Sequence, residues 1–191
     1  MVKFFIQEIK LFKMEEINRL ISASKDKKYY SHSIKNLSDK KLAKLEKLAL
    51  KLEEAGAENP LNWAFSEIEE DIPQFGRFLI LKNFYDIIQS TESNISLAKD
   101  FDSEAEKKYS EIKNIVGEEK LNVFLKTFSK GIISNVIDFL DDGNCSSDNE
   151  IGWALVKTDK EGNLTKKIIS GLHEDFPDFE EELKRKEDKG I

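Results

Sequence analysis

Residues 121–140 read LNVFLKTFSKGIISNVIDFL. Leu121, Phe124, Leu125, Phe128, Ile132, Ile133, Val136, Ile137 and Leu140 return every three or four positions, tracking one face of a helix with 3.6 residues per turn. The run predicts about five turns of amphipathic helix, and so long an apolar stripe calls for other helices to cover it. Gly131 sits inside the run, where it costs about 1 kcal/mol relative to alanine. Its missing side chain would admit a close helix crossing.

The sequence before this run keeps the same period. Phe5, Ile6, Ile9, Phe12, Ile17, Leu20 and Ile21 predict a first amphipathic helix over about residues 4–22, followed by a Lys- and Ser-rich loop from Ser24 to Asn36. Ser38 is placed to cap the next helix, Leu37 and Leu42 have the spacing of a hydrophobic staple, and Gly56 can end it. Leu42, Leu45, Leu48, Leu52 and Ala55 form its apolar stripe. Asn59-Pro60 opens a helix to about Glu70, because proline at the first helical position gives up an N–H that has no partner there anyway. Ile72-Pro73 breaks it, and the segment from Pro73 through Ile88 is apolar on most of its circumference, as a central helix would be. After a polar stretch from Ser90 to Asp102, Ser103 and Glu106 have the spacing of a capping box for a helix reaching Val116, with Gly117 as the break.

Beyond residue 140 the period changes. Asp141 to Glu150 reads as a surface loop. Ile151–Thr158 and Leu164–Ser170 are rich in β-branched and aromatic residues, and Asp159-Lys160-Glu161-Gly162-Asn163 between them supplies a turn, so a β-hairpin is expected. An isolated hairpin is marginal in water, which requires this one to pack on the helices. Asp175-Phe176-Pro177 is read as the start of a last short helix, capped by Asp175, with Phe176, Phe179 and Leu183 inward and a charged tail after it. The expected architecture is mainly α: a bundle of about five to seven helices with a C-terminal β-hairpin packed on it. It is read as one domain over residues 1–191, with a basic N-terminal helical pair at about 4–56, a helical core at about 59–141, and the hairpin and last helix at about 151–187.

Composition narrows the function classes. The chain has 191 residues, 39% of them hydrophobic and 35% charged, and no apolar run approaches the roughly 20 residues of a membrane helix. A single cysteine, Cys145, allows no internal disulfide, so a cytoplasmic location is the default expectation. The formal net charge of −7 is unevenly spread: residues 1–51 hold 13 Lys/Arg against 6 Asp/Glu, leaving 17 against 31 in the remainder. Lys25, Lys27, Lys28, Tyr29, Tyr30, His32 and Lys35 interleave cations with rings, a composition suited to phosphate contact and base stacking. The acidic remainder would repel a polyanion, so nucleic acid is not the expected partner.

Three groups of residues could carry chemistry. Glu67, Glu70 and Asp71 fall at i, i+3 and i+4, which places three carboxylates on one helical face. An exposed acidic stripe, pairing with cations from the basic N-terminal helices or with Arg77, and a metal or acid/base site are the competing readings, the first preferred. The loop containing Asp141, Asp142 and Asp148 is rich in oxygen ligands but lacks the spacing of an EF-hand, and no metal or cofactor is expected. His173-Glu174 follows the second strand and is the best catalytic candidate, since an imidazole beside carboxylates suits proton transfer. No phosphate-binding loop, nucleophile elbow, dinucleotide fingerprint or zinc spacing occurs. Cys145 lies among acids that disfavour a thiolate.

The preferred expectation is a non-enzymatic protein-binding domain, of the immunity or antitoxin-like kind that neutralises a basic partner. Glu67, Glu70, Asp71, Asp141, Asp142, Asp148 and Trp153 are its candidate contacts. For Trp63 and Trp153 burial in the core is the favoured placement and exposure as an anchor the alternative. A hydrolase using His173 with nearby carboxylates is the competing class.

Overall fold

The computed structural model describes residues 15–143 and 152–183. Among them are nine α-helices and a two-stranded antiparallel hairpin: α1 Glu15–Ala23, α2 Lys27–Ser33, α3 Asp39–Glu54, α4 Pro60–Glu70, α5 Gln74–Gln89, α6 Thr91–Ala98, α7 Ala105–Val116, α8 Glu118–Asp142, β1 Leu155–Thr158, β2 Leu164–Ile169 and α9 Leu172–Asp175. The mainly helical class with a C-terminal hairpin is therefore the observed one. The part of the first helix expected before residue 15, the loop segment 144–151 with Asp148 and Cys145, and the charged tail from residue 184 lie outside the described residues. The chain groups into two compact units, the first formed by residues up to Leu79 with Val156–Ile169 and the residues from Glu180, the second by Ile80–Leu155 and Ser170–Phe179.

In the first unit the apolar periods are used as they read. Ile17, Leu20 and Ile21 of α1, Leu45, Leu48 and Leu52 of α3, and Leu61, Phe65 and Ile68 of α4 are buried together with Trp63 and Phe78. Ser38 caps α3 as expected, its hydroxyl accepting from the Lys41 amide at 3.4 Å. The segment Ser24–Asn36, expected as a loop, instead forms α2 and a 3-10 turn. The reason is tertiary packing: Tyr30 and Ile34 are buried, Tyr30 stacking on Phe65 at 5.1 Å, and packing of this kind outweighs the weak helix propensity of their polar neighbours. Burial also pushes the Tyr30 hydroxyl up to about 12. Arg19 forks onto Glu53 at 3.0 and 2.6 Å and reaches Glu16 at 2.8 Å, tying α1 to α3.

The hairpin belongs to this unit from Val156 onward and packs on its helices. Along β2, Thr165, Lys167 and Ile169 are more covered than Leu164, Lys166 and Ile168, the alternation of a strand with one face on a core. Ile169 approaches α5 where it has no side chain: a Cβ added to Gly76 would meet Ile169 Cδ1 at 3.0 Å. The turn is held by Asp159, whose carboxylate accepts from the amides of Glu161 (3.0 Å) and Asn163 (2.8 Å) and from the Asn163 side chain (2.9 Å). These bonds, the Asn163 side chain foremost, hold the Asp159 carboxyl below its usual range. Gly162, at φ 86°, supplies the left-handed residue that the turn needs.

The second unit contains α6, α7, α8 and α9. The polar stretch after Ser90, unassigned from sequence, contains α6, whose start is fastened by the Asn94 side chain donating to the Ile87 carbonyl at 2.7 Å. Ser103 does not cap α7: the Asp102 carboxylate takes the Glu104 amide at 3.0 Å and Lys108 at 2.6 Å, and an anion is the stronger acceptor. The last helical segment is also displaced from its expected start. Asp175 ends α9 rather than capping a helix, Phe179 is buried in a 3-10 turn, and Phe176 and Leu183 are half-buried.

Candidate functional site

The acidic triplet of α4 is built into the first unit. Glu67 is buried, and its Oε2 accepts from the Phe75 amide at 2.9 Å while Oε1 lies 3.5 Å from Lys157 Nζ. A carboxylate here caps the N-terminus of α5, where unpaired amides and the helix dipole favour negative charge. Glu70 accepts from Ser66 at 2.8 Å, and Ser66 in turn accepts from Gln74 at 2.7 Å. Asp71 stands at φ 60°, a left-handed residue ending α4 before Pro73, and its carboxylate pairs with Lys167 of β2. Lys167 also donates to the Asp71 carbonyl at 2.8 Å, and the pairing holds the Asp71 carboxyl below its usual range. Pairing with cations was one of the readings open from the sequence. Lys157 and Lys167 of the hairpin supply the close cations, and Lys44 of α3 adds to the effect on Asp71. Arg77, the other partner considered, is buried.

The basic patch of α2 divides in the same way. Lys27, Lys28, Ser31, His32 and Lys35 line a shallow open groove, but Tyr30 turns into the core and leaves Tyr29 as the exposed ring. His32 stays exposed among the lysines, so the patch keeps cations and rings but loses one of its two tyrosines.

In the second unit, the C-terminal end of α8 joins two groups that the sequence lists far apart. Gly143 ends the helix at φ 57°, and a Cβ there would meet the Trp153 carbonyl oxygen at 2.8 Å, so glycine is required by both conformation and space. Trp153 returns to the helix, its amide 3.3 Å from the Gly143 carbonyl and its Nε1 donating to the Phe139 carbonyl at 3.0 Å. Its ring stacks on Phe139 at 4.5 Å and remains 37% exposed, whereas Trp63 is core and donates to Glu182 at 3.0 Å. Asp141 points the other way, with a side chain 7% exposed. Its Oδ2 accepts from the His173 amide at 2.9 Å and faces His173 Nδ1 at 2.9 Å. Asp141 therefore does for α9 what Asp175 was expected to do.

This dyad has a definite electrostatic state. The bond to Asp141 raises the His173 imidazole above its ordinary value, with Glu174 and Asp138 adding to the effect. The side chain of His173 is 55% exposed, so the ring edge away from Asp141 faces solvent. Such a pair can hold and pass a proton at Nε2. Among the described residues, no three His, Cys, Asp or Glu side chains converge as a metal-binding group.

The feature that sequence reading missed lies along α8 itself. Of its described residues only Leu121 and Ile137 are buried, while Phe124 (62% exposed), Phe128 (58%), Ile132 (48%), Val136 (38%) and Phe139 (59%) form an exposed stripe. Phe124 and Phe128 stack on each other with centroids 6.0 Å apart. The available signal was width: the apolar residues cover well over half of the helix circumference, more than the roughly 100° that one contact face needs.

Comparison with protein-family models, curated proteins and solved structures finds no match for this chain. Among the described residues no helix is long and apolar enough to cross a membrane.

Proposed function

We propose that this chain is a non-enzymatic protein-binding domain whose contact surface is the exposed stripe of α8. The observation that carries this reading is the row of three phenylalanines, an isoleucine and a valine on one side of a regular helix. Large apolar side chains gathered in this way mark an interaction surface, whereas isolated exposed ones need no explanation. Asp138 and Asp142 at the same end of α8, beside the half-exposed Trp153, give the surface an acidic end that suits a basic partner. An immunity or antitoxin-like role is the specific form of this proposal. Capture by the tagged full chain, compared with Phe128→Asp, tests it: one stoichiometric protein held by the first and lost by the second is the expected result. Capture unaffected by the substitution overturns it.

A second reading has one observation in its favour, the 2.9 Å contact between Asp141 and His173 Nδ1. A hydrolase using this pair would lose turnover in His173→Gln and, through ring orientation, in Asp141→Asn. Hydrolysis by the purified chain that survives His173→Gln removes this reading.

A further inference from the structure

We infer that the exposed stripe of α8 is the contact surface for a second copy of this chain, docked antiparallel about a two-fold axis midway between Phe128 and Ile132. The inference rests on the reading of the stripe as a contact surface and assigns it to a second copy in place of a basic partner. Its first support is the symmetry of the stripe. Reversing the helix about that midpoint sets Phe128 against Ile132 and Phe124 against Val136 of the other copy, all four exposed. A two-fold contact requires a surface complementary to itself, which an unrelated partner would not.

The second support is charge. Lys120 and Asp138 lie five turns apart on the same flank of the stripe. They stand roughly 15 and 12 Å on either side of the midpoint at 1.5 Å per residue. A two-fold axis between antiparallel helices brings like flanks together, so Lys120 of each copy faces Asp138 of the other. The third is space. Gly131, beside the midpoint, has nothing within 4 Å of where a Cβ would stand, so no described part of the chain fills the close crossing this glycine permits. A bilayer is less well matched, because the flank carries opposite charges and the chain is net negative.

The fourth support is area. The stripe exposes about 500 Å² of apolar surface per copy, taking the usual areas of these side chains. Pairing two copies buries about 1,000 Å² before rim atoms are counted, near the lower bound for a specific interface.

Sedimentation velocity of the full chain from about 1 to about 200 µM is the test. A concentration-dependent dimer is expected. Phe128→Asp, at an exposed position, weakens it by about tenfold or more, because an unpaired carboxylate would be buried in each copy. Gly131→Trp blocks the crossing while leaving the circular dichroism of the monomer unchanged. Lys120→Glu weakens the dimer, and adding Asp138→Lys restores it, since the exchanged pair again matches. A chain that stays monomeric throughout, a dimer indifferent to Phe128→Asp, or a double exchange that fails to restore association overturns the inference. If the chain stays monomeric but captures a different protein in a Phe128-dependent manner, the second copy is wrong and the binding reading stands. If Phe128→Asp changes neither property, both fall. Binding of the monomer to phosphatidylcholine/phosphatidylglycerol vesicles through Phe128 also overturns it.

Discussion

Helices α3 and α8 are read from the same kind of pattern, yet they are used in opposite ways. The stripe of α3 is narrow, and Leu45, Leu48 and Leu52 are buried. That of α8 is longer and richer in aromatic residues, but Leu121 and Ile137 alone are buried among its described residues. A helix neighbour covers only a limited arc, so apolar residues beyond that arc stay in water unless something else covers them. Strength of an apolar period thus reports that a helix forms, whereas excess width reports a surface left over.

Stability measurements sharpen this contrast most directly. Leu52→Ala is expected to cost about 2–5 kcal/mol in urea unfolding, while Phe128→Ala at low protein concentration stays within about 0.5 kcal/mol of the parent. Equal losses would mean that the α8 stripe is covered like that of α3, and the comparison would fail. The next effect concerns the first unit alone. Glu67→Ala removes a buried carboxylate from the Phe75 amide and from Lys157, and is expected to cost about 2–3 kcal/mol, with Glu67→Gln costing less because the amide keeps an acceptor. A neutral Glu67→Ala would instead return this residue to the acidic surface read from the sequence.

The smallest effect belongs to the exposed end of α8. Because Asp141 raises the His173 imidazole above its unfolded value of about 6.5, the pair stabilises the fold fully below that pH. The contribution is then lost as pH rises through the folded value. The stability advantage of the parent over His173→Gln should therefore be greatest in mildly acidic solution and fade toward alkaline pH. Solvent screening keeps it under about 1 kcal/mol. An advantage that grows with pH would show that the imidazole is held neutral.

The sequence was most readable where one segment decided its own structure. The Ser38 cap, the Asn59-Pro60 start, the Ile72-Pro73 break and the Asp159–Asn163 turn all act within a few residues, through backbone conformation and local hydrogen bonds. The α2 helix was not readable, because its stability comes from Tyr30 stacking on Phe65, 35 residues away in sequence. The candidate site divides along the same line. Asp141 and His173 could each be singled out by residue type, but nothing local joins residues separated by 32 positions.

By itself the sequence determined the helical class, the hairpin, the acidic balance and the positions of most breaks, since periodicity and turn chemistry are properties of neighbouring residues. Tertiary structure decided the rest: that Glu67 caps α5 and Asp71 pairs with the hairpin, that Asp141 holds His173, and that Phe124, Phe128 and Phe139 remain outside. Those outcomes depend on which surfaces meet, and a period of 3.6 residues specifies a face without specifying what will cover it.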